Sequence, residues 1–232
     1  MSHRSVITFS LEQRILHALM LRTSFLEDIG LFSGKMGILL ALVEYQKWHP
    51  HKVYADFIDE LIDHIWEKIH NELSIGLADG LCGIGWGVEF LIHHEIIEGS
   101  GIDLCSELDE KIMLMDPRRI TDLSLENGLE GLLFYALLHI QNALLQRSAL
   151  PFDSRYLRDL HRTISDLDSE AISKDMQYYI EMYTDFYLYD KAPALSFSLE
   201  AFARGCAITG SDSLKDCPIG LNGGLAGLLI NS

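Results

Sequence analysis

The chain reads Gly76-Leu77-Ala78-Asp79-Gly80-Leu81-Cys82-Gly83-Ile84 at the point that decides its fold, because this nine-residue turn recurs. The other clear copies are Gly30-Leu31-Phe32-Ser33-Gly34-Lys35-Met36-Gly37-Ile38, Ser124-Leu125-Glu126-Asn127-Gly128-Leu129-Glu130-Gly131-Leu132 and Gly220-Leu221-Asn222-Gly223-Gly224-Leu225-Ala226-Gly227-Leu228. Neighbouring copies lie about 48 residues apart, and the last gap is about twice that. A turn repeated at a fixed period predicts a repeat architecture before any single residue is interpreted.

The period also predicts a fifth copy near residue 175. There the chain reads Ile172-Ser173-Lys174-Asp175-Met176-Gln177-Tyr178-Tyr179. Asp175 holds the fourth position of the turn, while bulky residues replace both later glycines. We therefore expect five turns, of which four keep their glycines.

Each turn is predicted to start a helix. Four residues at the fourth position of a turn, Ser33, Asp79, Asn127 and Asp175, have side chains that accept hydrogen bonds from the unpaired amides of a first helical turn. We expect them to be N-caps. Glu130 follows Asn127 by three residues, which predicts a capping box. The paired glycines of each turn share one helix face and let a neighbouring backbone come close.

Two kinds of helix are predicted to alternate. Residues 53–70 carry a single apolar stripe, as in a surface helix, whereas residues 38–43 and much of 131–145 are apolar all round, as in a covered helix. We call these outer and inner helices. Outer helices are expected over residues 11–21, 53–70, 102–115, 154–165 and 198–207, and an inner helix after each turn. No segment predicts a strand, and residues 1–232 are expected to form one all-α repeat domain.

Charge and cysteine content narrow the class of protein. The chain has 34 acidic and 18 basic residues, a formal net charge of -16, which disfavours binding to nucleic acid or to an anionic membrane surface. Cys82, Cys105, Cys206 and Cys217 form no Cys-x-x-Cys pair, so free thiols in a reducing cytoplasm are expected. The N-terminus lacks a signal-peptide pattern, and no apolar stretch is long enough to predict a membrane span.

The turns together resemble the lanthionine synthetase C-like (LanC-like) family. Their pattern is Gly-Leu-x-[Ser/Asp/Asn]-Gly-x-x-Gly-[Ile/Leu], and the resemblance covers residues 30–230 through four good copies and one degenerate copy. It implies an α/α toroid whose inner helices direct their N-termini toward a common mouth. It also implies bacterial peptide modification of the lanthipeptide type. The family's enzymes add cysteine thiols to dehydrated residues, using a zinc ion held by two Cys and one His that lowers the thiol pKa.

The zinc ligands that the resemblance implies are not found at the matching positions. In the family they directly precede inner helices, but here the two residues before each helix are Phe32-Ser33, Ala78-Asp79, Glu126-Asn127, Lys174-Asp175 and Asn222-Gly223. No metal ligand and no cofactor is therefore carried over. About five inner helices are expected against the family's seven hairpins, which predicts an incomplete toroid. The apolar inner faces of an open ring would favour a further domain or a homodimer.

Acidic residues supply the catalytic candidates. If the inner helices share one direction, Asp79, Glu126, Glu130 and Asp175 lie together at the mouth, where paired carboxylates could do acid/base work. Glu126, Asp79 and Asp175 are the candidates. The alternative is that helix capping alone explains these residues.

Aromatic residues supply the substrate-binding candidates. Tyr178, Tyr179 and Tyr183 could line a groove for an extended peptide, since they carry hydroxyl groups on an inner helix. The alternative is that they fill the core. Lone histidines such as His139 are expected to be structural or surface residues rather than metal ligands.

The leading hypothesis is a LanC-like protein that binds or presents a peptide and has no zinc-dependent cyclase activity of its own. A peptide substrate or a modifying enzyme is the expected partner. Two alternatives stay open. One is an active enzyme on the same toroid, either a thioether cyclase completed by later C-terminal repeats or a carboxylate-dependent hydrolase. The other is an interaction module beside a modifying enzyme.

Overall fold

The computed structural model describes residues 9–69, 73–207 and 214–231, and these ranges fold as an all-α chain. The α-helices are α1 (Leu11–Thr23), α2 (Lys35–Trp48), α3 (Lys52–Lys68), α4 (Leu81–His93), α5 (Gly101–Leu104), α6 (Ser106–Leu114), α7 (Leu129–Gln146), α8 (Ser154–Ser165), α9 (Lys174–Tyr189) and α10 (Leu225–Ile230). A 3-10 turn (Pro117–Arg119) and two short strands, β1 (Arg204–Gly205) and β2 (Asn222–Gly224), complete the described elements. None of the described helices has the length and apolar character needed to cross a membrane.

The chain divides into two compact units. The first comprises Met1–Asp28, Phe32–His64 and Ser198–Ser232, and in it α2 packs against α10 and α1. The second comprises Ile29–Leu31 and Ile65–Phe197. In the second unit α7 packs against both α4 and α9, α6 packs against α4, and α8 packs against α9. The expectation of one repeat domain over residues 1–232 stays a prediction.

Three of the helices that follow the turns are covered on all sides, as predicted for inner helices. The first nine residues of α2, the first eleven of α4 and the first twelve of α7 are all buried. Outer helix α3 instead buries one stripe, which includes Ile58, Leu61 and Ile65. The difference follows from the sequence, because only the inner helices are apolar on every face.

The glycine turns close the N-terminal ends of their helices with backbone rather than with side chains. The N-caps are Gly34, Gly80, Gly128 and Gly224. The predicted caps Ser33, Asp79 and Asn127 are therefore wrong by one residue. The amide of each first helical residue donates to a carbonyl oxygen seven residues earlier, at 2.8–2.9 Å. The pairs are Lys35 to Asp28, Leu81 to Ser74, Leu129 to Asp122 and Leu225 to Pro218. Each loop thus folds back and satisfies the helix that follows it.

A close backbone approach explains the second glycine of the turns. A Cβ added at Gly131 would lie 2.1 Å from the carbonyl oxygen of Leu125, and one at Gly83 would lie 2.0 Å from that of Leu77. These distances are far inside van der Waals contact. Any larger residue would push the loop away from the helix that it caps.

Turns also bind one another side by side within each unit. In the second unit the amide of Leu31 donates to the carbonyl oxygen of Ala78, and the amide of Ala78 donates to that of Glu126, both at 2.8 Å. In the first unit the amide of Asn222 donates to the carbonyl oxygen of Phe32 at 3.1 Å. Within each unit, these bonds hold the starts of neighbouring helices together.

The fourth turn, which lacks the glycines, uses a side-chain cap. The period located its helix correctly, since α9 begins at Lys174, but the cap is Ser173. The hydroxyl oxygen of Ser173 accepts a hydrogen bond from the amide of Met176 at 2.9 Å. Asp175, the predicted cap, is the second residue of the helix, so that prediction is wrong. Its structural counterpart in the third turn is Glu130, which is the second residue of α7.

Helix α9 also differs from the other inner helices in its burial. Only Met176, Tyr183 and Phe186 are buried along its 16 residues. The expectation of a helix covered on most sides is wrong here, because polar and half-exposed residues share its surface.

Residues 198–207 do not form the predicted outer helix. They contain a turn, in which the amides of Phe202 and Ala203 donate to the carbonyl oxygen of Leu199. Arg204 and Gly205 then pair in parallel with β2, a strand pair that the sequence did not predict. The backbone of this segment is thus satisfied by the fifth turn rather than by a helix of its own.

The cysteines separate into two kinds. Cys82 and Cys105 are buried free thiols, as expected. Cys206 and Cys217 are joined by a disulfide bond, so the expectation of free thiols is wrong for these two.

Candidate functional site

An acidic cluster lies at the N-terminal ends of α7 and α9, in the second unit. Glu130 lies in the first turn of α7 and is only 7% exposed. Its carboxylate accepts a hydrogen bond from the hydroxyl group of Ser173, at 2.9 Å between the oxygen atoms. Since the same hydroxyl oxygen caps α9, Ser173 ties the start of α9 to the start of α7. The capping box predicted between Asn127 and Glu130 is therefore wrong.

The charges of two further carboxylates influence the pKa of Glu130. Burial is the largest influence and raises the pKa of Glu130; the hydrogen bond from Ser173 lowers it, and the charges of Asp175 and Glu126 raise it again. Asp175 and Glu126 are exposed. We call Glu126, Glu130 and Asp175 the acidic turn cluster. Its concentrated negative charge would attract a cationic group.

Tyr179 lies beside the acidic turn cluster. Its ring centroid is 5.4 Å from that of Phe134 and 6.0 Å from that of Tyr178. Burial raises the pKa of Tyr179 to about 12, and the charges of Asp175 and Glu130 contribute to the increase. Its hydroxyl group is therefore protonated at neutral pH and can donate a hydrogen bond. Of the three tyrosines predicted to bind substrate, this one is next to the carboxylates.

The other two tyrosines have different surroundings. Tyr178 is 52% exposed and lines a shallow cavity of about 230 Å³ together with Glu181, Met182 and Asp185. Tyr183 is fully buried, and its hydroxyl group donates to the carbonyl oxygen of Leu157 at 2.9 Å. In this fold Tyr183 offers no surface to a ligand. Substrate binding by the tyrosines stays a prediction.

Asp79 is the fourth of the predicted carboxylates and belongs to the second turn. Its Cα lies against Gly30, where an added Cβ would be 2.3 Å away. The charges that shift the pKa of Glu130 are those of Asp175 and Glu126, and Asp79 is not among them. The structure thus brings three of the four carboxylates together. Catalytic roles for Glu126, Asp79 and Asp175 stay predictions.

Comparison with known proteins leads to the family that the turns resemble. Residues 26–189 match the family model described as lanthionine synthetase C-like protein. The chain belongs to this family. The predicted fold class, all-α and of the LanC-like α/α toroid type, is confirmed. No curated protein and no solved structure gives a significant match to this LanC-like chain.

The resemblance implies zinc held by two Cys and one His, and the cysteines that the structure describes do not fit such a site. Burial raises the pKa of the Cys82 and Cys105 thiols, which opposes the thiolate form that binds zinc. Cys206 and Cys217 are bonded to each other. Among the described residues, no three His, Cys, Asp or Glu side chains are grouped so that they could hold a metal ion. We therefore derive no zinc-dependent step for this chain.

A second polar cluster, in the middle of α7, was not predicted from the sequence. The imidazole of His139 lies between two carboxylates: Nδ1 contacts Oε1 of Glu89, and Nε2 is 2.8 Å from Oδ2 of Asp109. The hydroxyl group of Tyr135 donates to Oδ1 of Asp109 at 3.0 Å. The side-chain amide of Asn142 donates to Oε2 of Glu89 at 2.8 Å. We call these five residues the buried polar cluster.

In the buried polar cluster one imidazole faces two carboxylates. Burial lowers the pKa of His139, but hydrogen bonds and charges from Asp109 and Glu89 outweigh it and raise the pKa to about 9. The imidazole is therefore positively charged at neutral pH. His139 and Tyr135 have no exposed surface, and Glu89 and Asp109 are also buried, so these four side chains cannot reach a substrate. It joins α4, α6 and α7, and His139 is the structural histidine that was expected.

The sequence contains some indications of this cluster. Glu89 is a lone acidic residue inside the apolar helix α4, and Tyr135 and His139 stand one turn apart inside α7. A buried charge must be paired, so each of these positions demands a partner. The partner Asp109 lies on a third helix, α6, and no sequence pattern connects it with Glu89 on α4 or His139 on α7.

Proposed function

We propose that this LanC-like protein binds a basic segment of a peptide at the acidic turn cluster and has no zinc-dependent cyclase activity of its own. The observation that carries the proposal is the gathering of Glu126, Glu130 and Asp175 beside the ring of Tyr179. Carboxylates attract the head of a lysine or arginine side chain, and an aromatic ring can pack against its stem and cation. The peptide belongs to the lanthipeptide type that the family modifies.

The charge of the whole chain supports a cationic ligand. With a net charge of -16, the protein attracts basic peptides from a distance and repels acidic ones over most of its surface. The acidic turn cluster then gives such a peptide a place to dock.

Fluorescence anisotropy with a fluorescein-labelled peptide of alternating lysine and leucine residues tests the proposal. We expect the double variant Glu130→Gln/Asp175→Asn to bind this peptide about tenfold more weakly than the wild type. Each lost ion pair is partly exposed and contributes up to about 1 kcal/mol.

A matched variant controls for the change in net charge. Asp103→Asn/Glu110→Gln removes the same charge from exposed positions of the second unit, away from the starts of α7 and α9. It should keep nearly the wild-type affinity. Equal weakening in both double variants would show that net charge alone attracts the peptide and would refute the site.

A carboxylate-dependent hydrolase is the second candidate, favoured by the raised pKa of Glu130. Burial raises the pKa of Glu130, and a carboxyl group with a raised pKa beside other carboxylates is an arrangement that general acid and base catalysis uses. Glu126→Gln together with Glu130→Gln should then abolish hydrolysis of a peptide substrate, while circular dichroism shows unchanged helix content. Full activity in this variant excludes the candidate.

Metal analysis tests the proposed lack of zinc chemistry. Protein purified without added metal should contain far less than one zinc ion per chain by plasma mass spectrometry. Stoichiometric zinc that protects Cys82 or Cys105 from alkylation would overturn this part of the proposal.

A bacterial cytoplasmic location and a homodimer are further parts of the proposal. The free thiols of Cys82 and Cys105 support a reducing compartment, whereas the Cys206–Cys217 disulfide argues against it. Trapping thiols in intact cells before lysis decides between the two. Sedimentation velocity measures the oligomeric state, and a monomer across the micromolar range would exclude the homodimer.

A further inference from the structure

Arginines are concentrated in one region of this acidic protein. Five of the ten arginines in the chain lie on the 3-10 turn and on α8. They are Arg118, Arg119, Arg155, Arg158 and Arg162. The 3-10 turn packs against α8 within the second unit, so the five side chains share one region. Such a concentration is unexpected in a chain with a net charge of -16.

Three of these arginines surround a single carboxylate without hydrogen-bonding to it. The guanidinium nitrogens of Arg155, Arg158 and Arg162 lie 3.9–4.0 Å from the carboxylate oxygens of Asp159. Hydrogen bonds between such groups are about 2.7–2.9 Å long, so these contacts are purely electrostatic. Asp159 is 8% exposed, whereas the three arginine side chains are 48–79% exposed. One carboxylate cannot neutralise three guanidinium groups, and their donors face solvent.

Arg118 is engaged differently. It donates to both carboxylate oxygens of Asp116, at 2.8 and 2.9 Å. This fork-shaped pair shows the geometry that a guanidinium group adopts with a well-placed carboxylate. The three arginines of α8 have no such partner in the described part of the chain.

A groove with a mixed polar and apolar lining adjoins the arginines. A cavity of about 290 Å³ lies between the end of α6, the 3-10 turn and the start of α8, and its lining combines the apolar Met113, Leu114 and Met115 with the carboxylates of Asp116 and Asp153. Asp116 is already paired with Arg118, and Asp153 caps α8. The side chain of Leu114 is 86% exposed, and that of Met115 is 42% exposed. Arg155 and Asp159 line the same cavity. The groove therefore offers contact surface for an apolar side chain within reach of the guanidinium groups.

We propose that this surface, the arginine groove, binds an acidic amphipathic peptide segment of a partner protein. An apolar side chain of the segment occupies the groove beside Met113 and Met115, and its carboxylates accept hydrogen bonds from Arg155, Arg158 and Arg162. The net negative charge elsewhere repels an acidic partner, so this surface also fixes where it docks. The exposed side chains of Leu114 and Met115 favour a peptide over a nucleic acid, whose phosphates would leave them uncovered. This site does not depend on the acidic turn cluster and takes a ligand of opposite charge.

Fluorescence anisotropy with a fluorescein-labelled peptide of alternating glutamate and leucine residues tests the proposal in the full chain. We expect the wild type to bind it, and Arg155→Gln/Arg162→Gln to weaken binding at least about fivefold, as expected for two partly exposed ion pairs. We expect Asp159→Asn to strengthen binding about threefold, because the carboxylate that competes for the arginines is removed. A gain in affinity cannot result from misfolding, so the two opposite signs separate binding from stability.

A matched control removes charge elsewhere. Lys52→Gln/Lys215→Gln takes away two exposed positive charges in the first unit and should leave the affinity for the acidic peptide nearly unchanged. Equal weakening in the lysine and arginine variants, no binding by the wild type, or no gain in Asp159→Asn would each overturn the proposal. Because the lysine-leucine peptide tests the acidic turn cluster separately, failure of either site can be recognised on its own.

Discussion

Helix α7 contributes to two polar clusters that differ in how their charges are paired. The buried polar cluster, around His139, sets one imidazolium between two carboxylates and adds a donor from Tyr135 and one from Asn142. The acidic turn cluster, around Glu130, sets three carboxylates together with one hydroxyl group from Ser173. The imidazole and the two carboxylates of the first cluster are buried, whereas the second cluster is partly open to solvent.

This difference separates a structural role from a binding role. A buried charge that is fully paired holds helices in one arrangement and has nothing left to offer a ligand. A partly exposed set with unbalanced charge can be completed by a ligand of opposite sign. Sequence alone shows polar residues at both places on α7, and only their partners distinguish the two roles.

Removing the imidazolium should give the largest effect on the free energy of unfolding, and it tests the structural role of the buried polar cluster. His139→Leu leaves the carboxylates of Glu89 and Asp109 buried without a cation, and we expect the free energy of unfolding in urea to fall by about 3–5 kcal/mol. His161→Leu on α8 is the matched control and should change it by less than about 1 kcal/mol. Adding Glu89→Gln and Asp109→Asn to the first variant should restore much of the loss. A His139→Leu protein as stable as the control would refute the paired-charge account.

Alkaline pH should weaken the same cluster. The pKa of His139 is about 9 in the fold against about 6.5 in an unfolded chain. Its contribution is therefore complete below about pH 6.5 and is lost as the pH rises through 9, on the order of 3 kcal/mol in total. Urea unfolding between pH 6.5 and 9.5 measures this loss as the difference between the wild type and His139→Leu. Parallel curves for the two proteins would contradict a charged imidazole.

Close packing around Glu89 should give a smaller effect. A Cβ added at Gly101 would lie 2.2 Å from Oε1 of Glu89, so Gly101→Ala must displace the carboxylate from His139. We expect a loss of about 1–3 kcal/mol in the free energy of unfolding. Wild-type stability in this variant would contradict a tightly fixed carboxylate at Glu89.

The smallest effect is expected at the acidic turn cluster itself. Ser173→Ala removes the N-cap of α9 and the donor to Glu130, and should lower the free energy of unfolding by about 1 kcal/mol. Ser169→Ala, at a neighbouring exposed serine, is the control and should stay within about 0.5 kcal/mol of the wild type. An effect as large as that of His139→Leu would mean that the two clusters do not differ in kind.

Periodicity predicted more of the fold than residue type did. The repeat located all five helices that follow turns, including α9, whose turn has lost both glycines. Residue type misplaced the caps at Asp79 and Asn127, because backbone carbonyl oxygens already occupy the helix amides there. The strand pairing of Arg204 could not be predicted from the sequence either, because its partner strand lies in the fifth turn.

The candidate site was predictable only in part, for a similar reason. The sequence placed Glu126, Glu130 and Asp175 near helix starts, and the structure brings these three together. It could not show that Ser173 joins Glu130, nor that Tyr183 points its hydroxyl group to Leu157 in the core. Both depend on which face of α9 meets its neighbours, and that is set by packing between helices rather than by the order of residues.

The backbone closure of the glycine turns has a consequence for how such proteins can diversify. A loop carbonyl oxygen, and not a side chain, accepts the hydrogen bond from the first amide of α4 and of α7. The side chains of the residues before those helices therefore do not have to cap them. Asp79 and Asn127 are therefore not required as N-caps of the helices that follow them. The functional groups at these two positions can thus be exchanged during evolution without the loss of a helix cap.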